Sequence, residues 1–324
     1  MLLILSDEKD ISTIHIIEWL LHWNMPFFRI NREDRVEVQK VLLGDDGEAN
    51  VTLIKNQKDC INLNEIKAYW YRRGQIRLYC PVKLSKTIDR PIRDSIFRYA
   101  YKELDSIVEY IYYYLDSIPH IGTFKNRSVN KIKMLQIAAE AGLLIPKTLI
   151  ASSKKSVSET YTEDNIITKA TRDGFDIQIE GHSYSTFTEE IAADRLQPKF
   201  FLSLFQNKID KEADIRIFYL ERKCYAMAIR SQENQRTSTD FRKYDFNNPN
   251  RKFPFQLPSE IEQKIKVLME RASLETGSID MVLTKTGNFI FLEVNPVGQF
   301  NMVSVPCNYH LEKAIATSLI YKMK

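Results

Sequence analysis

Residues 277–300 read GSIDMVLTKTGNFIFLEVNPVGQF, a stretch that predicts two β-strands joined by a tight turn. If Thr286–Gly287 is a symmetric two-residue turn, Asp280 on the first strand lies directly opposite Glu293 on the second. Directly paired side chains share one face of a sheet, with Cβ atoms about 5 Å apart. Asn295, two residues after Glu293, points to the same face. A three-residue loop would instead place the two acids on opposite faces.

This convergence of oxygen atoms predicts a metal site. Two carboxylates and an amide oxygen suit a hard cation such as Mg²⁺, which prefers oxygen ligands and usually binds together with substrate phosphates. Glu293 lies inside the apolar run FIFLEV of residues 289–294, and a buried carboxylate needs a partner. The alternative is the solvent-exposed face of an ordinary hairpin. We predict Asp280, Glu293 and Asn295 as the metal ligands.

The 324-residue chain has the composition of a soluble globular protein, with 44% hydrophobic and 27% charged residues. It is long enough for two or three packed units. Its net charge of +4 is small and dispersed, so we expect no nucleic-acid partner. We also expect no membrane partner, because no apolar run approaches the ~20 residues that span a bilayer. The apolar start MLLIL reads as a buried strand and not as a signal peptide. The four scattered cysteines lack metal-type spacing and predict free thiols in the cytoplasm.

Hydrophobic periodicity divides the chain into three α/β (α+β) units at residues 1–120, 121–198 and 199–324. The first unit opens with a strand, a helix and a strand, but without the glycine fingerprint of a dinucleotide-binding fold. Apolar residues spaced by three and four between Ile92 and Leu115 predict a long amphipathic helix. Residues 231–258 are polar, contain prolines and predict a long loop.

Several charged residues and short motifs follow one another in a recognisable order along residues 125–324. They are a basic segment that begins a helix (Lys125, Lys131, Lys133), a lysine that ends a strand (Lys169), a polar hinge (Gln206–Asp210), an acid and an arginine on one strand (Asp214, Arg216), a basic loop (Arg230, Arg242) and the Asp280, Glu293, Asn295 set. This order resembles the ATP-grasp ligases. Within that superfamily, FLEVNPVGQF (291–300), YRRG (71–74) and KIKMLQIAAEAGLLIPKTLI (131–150) resemble the graspetide synthetases, the peptide macrocyclases of microviridin and grasp-with-spasm type.

The resemblance implies an α/β ATP-grasp fold with a preceding N-terminal domain at residues 1–120. ATP would be held between a central subdomain (121–198) and a C-terminal subdomain (199–324). The implied roles are Mg²⁺ ligation by Asp280, Glu293 and Asn295; phosphate and adenine contacts by Lys131 and Lys169; backbone contacts to the adenine edge by Gln206, Asn207, Lys208 and Ile209; a ribose or metal contact by Asp214; and a γ-phosphate clamp by Arg216 and Arg242, with Arg230 as a weaker candidate.

Some of these roles have an alternative. Lys131 is preferred over Lys133, and a helix lysine of this kind is otherwise solvated. Arg216 alternates with buried residues along its strand, so its alternative role is a structural ion pair with Asp214. Arg242 lies in a polar loop and is by default a solvated surface charge.

The resemblance also implies the reaction and the partner. Such an enzyme uses ATP to activate Asp or Glu side chains of a ribosomal precursor peptide as acyl phosphates, and joins them to Thr or Ser hydroxyls or to Lys amines. The precursor carries a leader and a core, and we expect the enzyme to be a homodimer. Residues 189–194 are either a leader-docking element or an ordinary helix face. Arg72 and Arg73 either contact the peptide or form an ion pair inside the N-terminal unit.

Two other functions stay open at this point. Arg230 followed by Asp240-Phe241-Arg242 also resembles ligases that add glutamate or another amino acid to a protein or to a small acceptor. A mass gain on the acceptor would separate that activity from cyclisation, which removes water. The third function is a nucleotide-binding regulatory module without turnover, and the complete metal set argues against it.

Overall fold

The computed structural model describes residues 1–162, 165–172, 176–180, 182–185, 188–231 and 250–324. Its helices are α1 (Ile11–His22), α2 (Arg90–Asp116), α3 (Lys131–Glu140), α4 (Lys154–Thr160), α5 (Ser259–Arg271), α6 (Asn301–Cys307) and α7 (Leu311–Lys322), with 3₁₀ turns at Leu63–Glu65 and Ala193–Arg195. Its strands are β1 (Leu2–Ser6), β2 (Phe27–Asn31), β3 (Val36–Leu43), β4 (Ala49–Lys55), β5 (Asp59–Asn62), β6 (Ala68–Tyr71), β7 (His120–Ile121), β8 (Thr148–Ser153), β9 (Ile166–Lys169), β10 (Asp176–Ile179), β11 (His182–Ser185), β12 (Glu189–Ile191), β13 (Lys199–Asn207), β14 (Lys211–Leu220), β15 (Lys223–Arg230), β16 (Arg251–Phe255), β17 (Thr276–Thr284) and β18 (Phe289–Asn295). The predicted α/β class is therefore confirmed.

The chain divides into two compact units, one of residues 1–127 with 310–324 and one of residues 128–309. The C-terminal helix α7 lies in the first unit, where it packs against α1, although its position in the sequence had placed it in the last unit. An apolar helix face predicts burial but does not indicate which unit buries it. The predicted domain boundaries at residues 120 and 198 stay predictions.

The first unit contains a parallel four-stranded sheet in the order β2-β1-β6-β7. The apolar stretch of β1 is completely buried, which confirms the interpretation of the chain start as a core strand. Strands β3, β4 and β5 form a separate antiparallel sheet. Its first hairpin turns at the sequence Gly44-Asp45-Asp46-Gly47. All four cysteines of the protein are free, as predicted.

The second unit contains a small and a large sheet. The small sheet has the order β12-β9-β13-β8, and α4 packs on one face through a core that includes Ala151, Val157 and Phe205. The large sheet is antiparallel in the order β16-β15-β14-β17-β18. Helices α3 and α5 cover one of its faces and share a core with Ile215 and Ile279. The other face of the large sheet carries most of the candidate site residues.

Two elements belong to a different sheet from the one that the sequence predicted. Strand β13 covers the first residues of the predicted C-terminal unit, but it pairs with β8 and β9 in the small sheet. Helix α3 was assigned to the central unit, but it contacts β18 and α5 of the large sheet. Residues 208–210 join β13 to β14, so the predicted polar hinge is the connection between the two sheets.

Other predictions fall partly outside the described residues. The β14–β15 hairpin turns at Glu221 and Arg222, and both residues have positive φ, 45° and 67°. Residues 189–194 form β12 and the start of a 3₁₀ turn, so the helix-face alternative is wrong. Most of the predicted loop 231–258, with Arg242, lies outside the described residues, but 251–255 form β16. Within the described ranges no helix is long and apolar enough to cross a membrane.

Candidate active site

The hairpin of β17 and β18 has the predicted pairing but not the predicted turn. The backbone N–H of Thr284 donates to the carbonyl of Asn288, and Gly287, with φ of 83°, closes a three-residue loop. Such a loop alone would separate the two acids. A register shift between Asp280 and Met281 offsets the extra loop residue, so Asp280 pairs directly with Glu293. Bulges are common beside active sites because they re-aim side chains, and this bulge puts both carboxylates on one face.

An arginine extends this pair of acids across a third strand. Arg216 on β14 is the direct partner of Asp280 on β17. Its Nη1 donates to both carboxylate oxygens of Asp280, at 2.5 and 2.6 Å, and the two side chains are only 11% and 12% exposed. Arg216, Asp280 and Glu293 therefore form a row across β14, β17 and β18. The alternative ion pair between Arg216 and Asp214 is wrong, because the partner of Arg216 is Asp280.

A lysine reaches the other end of this row. Lys131 begins α3, and its Nζ lies 3.1 Å from Oε2 of Glu293. The side chain of Asn130 caps the helix by accepting from the backbone N–H groups of Ile132 and Lys133, both at 3.0 Å. This cap fixes the first turn beside the edge strand β18. Lys133 is exposed, so the structure brings Lys131 to the acids, in line with the preference over Lys133.

Asp214 belongs to a buried cluster with a lysine that the sequence did not single out. Both of its carboxylate oxygens accept from Nζ of Lys211, at 2.7 and 2.8 Å, and Oδ2 also contacts Oγ of Ser231 at 2.5 Å. Lys211 and Asp214 are three apart, a spacing that does not share a face in a regular strand. A register shift between Lys211 and Ala213 puts them on one face, and that bulge has no signal in the spacing of residues.

The small sheet presents two further candidates on the face opposite α4. Gln206 pairs with Ile167, and Lys169 pairs with Leu204, so Gln206 and Lys169 share a face. Nε2 of Gln206 donates to Oγ1 of Thr148 at 2.9 Å, and that hydroxyl donates to the carbonyl of Pro146 at 2.8 Å. These two consecutive hydrogen bonds define the orientation of the Gln206 amide. Oε1 of Gln206 is buried, with no hydrogen-bond partner among the described residues.

The rest of the hinge is tied to the small sheet. The Oδ1 atom of Asn207 accepts from the backbone N–H of Lys147 at 2.8 Å. The backbone N–H of Lys208 donates to the carbonyl of Asn165 at 2.6 Å. The side-chain Nζ of Lys208 lies 2.6 Å from Oε1 of Glu190. Ile209 follows as the chain crosses to β14. Asn207 and Lys208 of the hinge are therefore hydrogen-bonded to residues of the small-sheet region.

Two of the predicted arginines, Arg230 and Arg242, are not among the described residues that form this cluster. Arg230 ends β15 beside Ala228, on the face that packs against the helices, and its guanidinium lies 5.9 Å from the ring of Phe253. Arg216 points to the other face. Arg242 lies outside the described residues, so its place stays a prediction.

The predicted metal ligands fit Mg²⁺ by their donor chemistry. Asp280 and Glu293 oppose each other, and Ser278 pairs with Asn295 one step further along the same face. Asn295 is exposed, and its Oδ1 accepts from the backbone N–H of Val297 at 3.1 Å. All three ligands offer oxygen, as Mg²⁺ prefers. No group of three or more His, Cys, Asp or Glu residues suited to a metal occurs in the described part of the chain. The predicted set combines two carboxylates with one amide oxygen.

Gly298, three residues after Asn295, lies where the structure has no room for a side chain. A Cβ atom on Gly298 would lie 2.3 Å from Cβ of Ser278 and 3.0 Å from the carbonyl oxygen of Asn295. The turn after β18 therefore packs directly on β17, and the backbone N–H of Gly298 donates to the same carbonyl at 3.1 Å. This contact gives a physical reason for glycine in the sequence NPVGQF.

We expect Gly298→Ala to lower the free energy of unfolding by about 3 kcal/mol, because the added methyl group must displace β17 or the turn. Gly287→Ala is the control. The φ of Gly287, 83°, is itself unfavourable for alanine, but no atom lies within 4 Å of the added Cβ, so the cost is about 1 kcal/mol. Chemical unfolding of both variants measures the difference. Equal losses would show that the contact with Ser278 is not rigid.

In the first unit, the YRRG motif contains a buried ion pair. Arg72 is 3% exposed, and its Nε lies 3.0 Å from Oδ2 of Asp10. Burial lowers the pKa of Arg72 to about 10, and the charge of Asp10 partly opposes that shift. Gly74 has φ of 79°, and a Cβ there would lie 2.6 Å from the carbonyl oxygen of Ser6. The ion-pair alternative for Arg72 is confirmed.

Comparisons with known proteins place this geometry in a fold family. No protein-family model and no curated protein matches the sequence. Among solved structures, a Chryseobacterium gregarium RiPP-associated ATP-grasp ligase, in complex with ADP and a leader and core peptide, is 23% identical with a TM-score of 0.78, over 98% of this chain and 94% of that one. The macrocyclase MdnC of Microcystis aeruginosa MRC, bound with precursor peptide MdnA, is 25% identical with a TM-score of 0.75, over 99% and 100%. The ATP-grasp ligase PsnB, complexed with minimal precursor, Mg and ADP, is 16% identical with a TM-score of 0.71, over 100% and 97%.

The chain therefore has the ATP-grasp fold, as predicted. The predicted resemblance to macrocyclases is confirmed by the similarity to MdnC over 99% of this chain.

Proposed function

We propose that this ATP-grasp chain is an ATP- and Mg²⁺-dependent peptide macrocyclase that cross-links side chains of a ribosomal precursor peptide. The observation that carries the proposal is a row of four charged residues, in which two neighbouring carboxylates, Glu293 and Asp280, are flanked by a cation at each end, Lys131 and Arg216. Support comes from the structural neighbours, which form complexes with ADP, Mg, and a leader and core peptide. Uncharged or apolar residues in this row would not suit phosphate chemistry.

The charges on this face favour a bound metal–triphosphate. Three carboxylates and three cations from the described residues balance one another: Asp214, Asp280 and Glu293 with Lys211, Arg216 and Lys131. When ATP and Mg²⁺ bind, the carboxylates are available to the metal and the cations to the phosphates. Mg²⁺, held by Asp280, Glu293 and Asn295, would neutralise charge on the phosphate oxygens. Arg216 offers a planar fork that suits a phosphate oxygen pair.

The nucleotide base belongs at the small sheet in this proposal. Lys169 and Gln206 share the face opposite α4, and the hinge of Asn207, Lys208 and Ile209 leads from it to the large sheet. The buried Oε1 of Gln206 is an acceptor that suits an amino group. We assign adenine and phosphate contacts to these residues, and a second γ-phosphate contact to Arg242. Arg230 lies on the wrong face for that role.

The reaction proceeds in two balanced steps. A carboxylate oxygen of the peptide attacks the γ-phosphorus of ATP, the bond to the β-phosphate oxygen breaks, and ADP leaves. A hydroxyl or amine of the same peptide then attacks the acyl carbon, loses its proton and displaces phosphate. The enzyme contributes positioning and fixed positive charge, which supply most of the catalysis in phosphoryl transfer. We further propose a homodimer that acts in the cytoplasm.

The proposed function is tested by incubating the enzyme with a candidate precursor peptide, ATP and Mg²⁺. Each cross-link should remove the mass of one water from the peptide and release one ADP and one phosphate. Tandem mass spectrometry locates the linked side chains. A mass gain on an acceptor would indicate a ligase that adds an amino acid, release of AMP would exclude the acyl-phosphate route, and binding without turnover would indicate a regulatory module.

Substitution of Asn295 tests metal binding separately from peptide binding. We expect Asn295→Ala to lower ATP turnover about tenfold or more, because the amide oxygen completes the oxygen set, while peptide affinity stays unchanged. Asn288→Ala, in the loop of the same hairpin, is the control and should keep full turnover. Turnover is measured by ADP release, and peptide affinity by fluorescence anisotropy. Full turnover in Asn295→Ala would remove Asn295 from the metal set.

A further inference from the structure

The parallel sheet of the first unit has a topological switch point between β1 and β6. The chain leaves β1 through α1 and returns as β2 on one side, whereas β6 lies on the other side of β1. The pairings of β1 with β2 and with β6 are both parallel, so the carboxyl ends of these strands lie at one edge of the sheet. In open parallel sheets, ligands bind in the crevice outside the carboxyl ends at such a point. Asp7 follows β1 there, and Arg72, Arg73 and Gly74 follow β6.

Two acids at this edge each face an arginine, but the neighbouring Arg73 faces no acid. Asp10 lies 3.0 Å from Nε of Arg72, and Asp7 lies 3.4 Å from Nε of Arg32. Arg73 is partly buried, its Nε is buried without a hydrogen-bond partner, and its side chain forms no ion pair within the ranges that the structure describes. Burying part of a charged group without a partner costs free energy, and such a group in a native protein has a specific cause. Arg73 is therefore a cation that the described residues do not neutralise.

The backbone around Arg73 is held at the switch point. The N–H group of Arg73 donates to the carbonyl of Leu5 at 3.2 Å. Gly74 has φ of 79°, and a Cβ atom there would lie 2.6 Å from the carbonyl oxygen of Ser6, so the chain turns closely over the end of β1. The hydroxyl of Tyr71 donates to the carbonyl of Gly74 at 2.8 Å. A backbone held in this way lowers the cost of ordering the side chain when a ligand binds.

We propose that Arg73 binds a carboxylate side chain of the peptide substrate at the carboxyl ends of β1 and β6. The inference rests on the proposed function, in which the substrate is a peptide with Asp and Glu side chains, and it adds a residue that recognises one of them. A guanidinium donates two parallel hydrogen bonds to a carboxylate, a geometry that lysine cannot provide. One negative charge neutralises Arg73, whereas a phosphate dianion would leave excess negative charge near Asp7.

Carboxylate binding is tested by NMR of the full chain with ¹⁵N-labelled arginine, without nucleotide or Mg²⁺. The probe is the synthetic peptide acetyl-Glu-Gly-Glu-Gly-Glu-amide, and the control ligand has glutamine in place of each glutamate. We expect the Nε–H signal of Arg73, assigned by its absence from Arg73→Lys, to shift saturably with the glutamate peptide only. The signal of Arg77, which is exposed on the same segment, should not move.

Affinity is measured by fluorescence anisotropy of the labelled glutamate peptide. Arg73→Gln should raise its dissociation constant at least about tenfold, because one partner of a charge pair is removed. Arg73→Lys, which keeps the charge and loses the fork, should lie between the wild type and Arg73→Gln. Arg77→Gln is the matched control and should bind as the wild type does.

Thermal unfolding distinguishes a binding residue from a structural one. Arg73→Gln removes no ion pair and should keep the melting temperature of the wild type. Arg72→Gln should lower it, because the side chain of Asp10, only 7% exposed, loses its arginine. A clear loss of stability in Arg73→Gln would make Arg73 a structural residue and overturn the proposal.

Three further results would overturn the proposal. They are equal signal shifts with the glutamate and glutamine peptides, no saturable shift with either, and a saturable shift with inorganic phosphate alone, which would indicate a phosphate site. The outcome is separate from that of the proposed function. If the glutamate peptide binds through Arg73 but no precursor is cross-linked, the proposed function fails and the carboxylate site stands. If Arg73→Gln binds and cross-links a precursor as the wild type does, only the present inference fails.

Discussion

Asp280→Asn lowers ATP turnover by at least about 100-fold, because it removes the charge at the centre of the row on the large sheet. Asp280 lies between Arg216 and Glu293 on neighbouring strands. An amide cannot accept from Nη1 of Arg216 through two charged oxygens as the carboxylate does. It is also a weaker ligand for Mg²⁺ than a carboxylate. This single substitution therefore disturbs both Arg216, the proposed phosphate contact, and the proposed metal site.

The measurement is ADP release at saturating peptide, repeated over a titration with Mg²⁺. A loss of metal affinity shifts the titration to higher Mg²⁺, whereas loss of the Arg216 position lowers the plateau. Thermal unfolding of the variant is recorded as well, since an unpaired buried Arg216 lowers stability, and activity is compared below the melting transition.

The matched control is an arginine–carboxylate pair at the surface. Arg222 lies 3.4 Å from Glu270, and the two side chains are 63% and 69% exposed. Glu270→Gln removes the same charge from an exposed pair, and exposed pairs contribute little to stability. We expect it to keep full turnover. Asp280→Asn with half or more of the wild-type rate would remove Asp280 from the catalytic machinery.

The candidate hairpin shows what a sequence can and cannot predict about such a site. The pairing of Asp280 with Glu293 follows from a two-residue turn in the sequence argument, but the structure reaches it through a three-residue loop and a compensating bulge. Loop length and bulges are set by backbone hydrogen bonds that have weak residue preferences. The face of a side chain was predictable here because both strands carry polar residues two positions apart.

Sheet membership was less predictable than strand existence. The apolar residues of β13 mark a buried strand, but burial does not indicate whether the partner is β8 of the small sheet or a strand of the large sheet. Pairing between strands distant in sequence depends on packing of the whole unit, which a local pattern does not contain. The same holds for α3, whose apolar face predicts a helix and not the sheet that it covers.

Lys211 is the clearest residue that the sequence argument missed. It shares a face with Asp214 only because of the bulge before Ala213. Lysine is also seldom fully buried, so a lysine next to the hinge Gln206–Asp210 reads as solvated. The structure shows the opposite: the side chains of Lys211 and Asp214 are 8% and 6% exposed.

This buried pair leads to the second large expected effect, on stability. We expect Lys211→Met to lower the free energy of unfolding by about 3–5 kcal/mol, because the carboxylate of Asp214 stays buried after its lysine is removed. Methionine has a similar length and an apolar end, so the loss measures the missing charge and not a cavity. The hydrogen bond from Ser231 to Asp214 remains, and a neutral hydroxyl compensates a buried charge only in part.

The control is a surface lysine–aspartate pair whose aspartate, Asp210, directly precedes Lys211 in the sequence. Lys285 lies 2.9 Å from Asp210, and the two side chains are 65% and 74% exposed. Lys285→Met should change the free energy of unfolding by no more than about 0.5 kcal/mol. Both variants are compared with the wild type by chemical unfolding under the same conditions.

The double variant Lys211→Met/Asp214→Asn distinguishes an uncompensated charge from lost packing. Removing the charge of Asp214 as well should recover more than half of the stability lost in Lys211→Met, because a neutral amide costs less to bury than a carboxylate. The non-additivity of the two substitutions then measures the coupling within the pair. If Lys211→Met alone is neutral, or if the double variant is less stable than Lys211→Met, then Asp214 is compensated by other groups and Lys211 is not its essential partner.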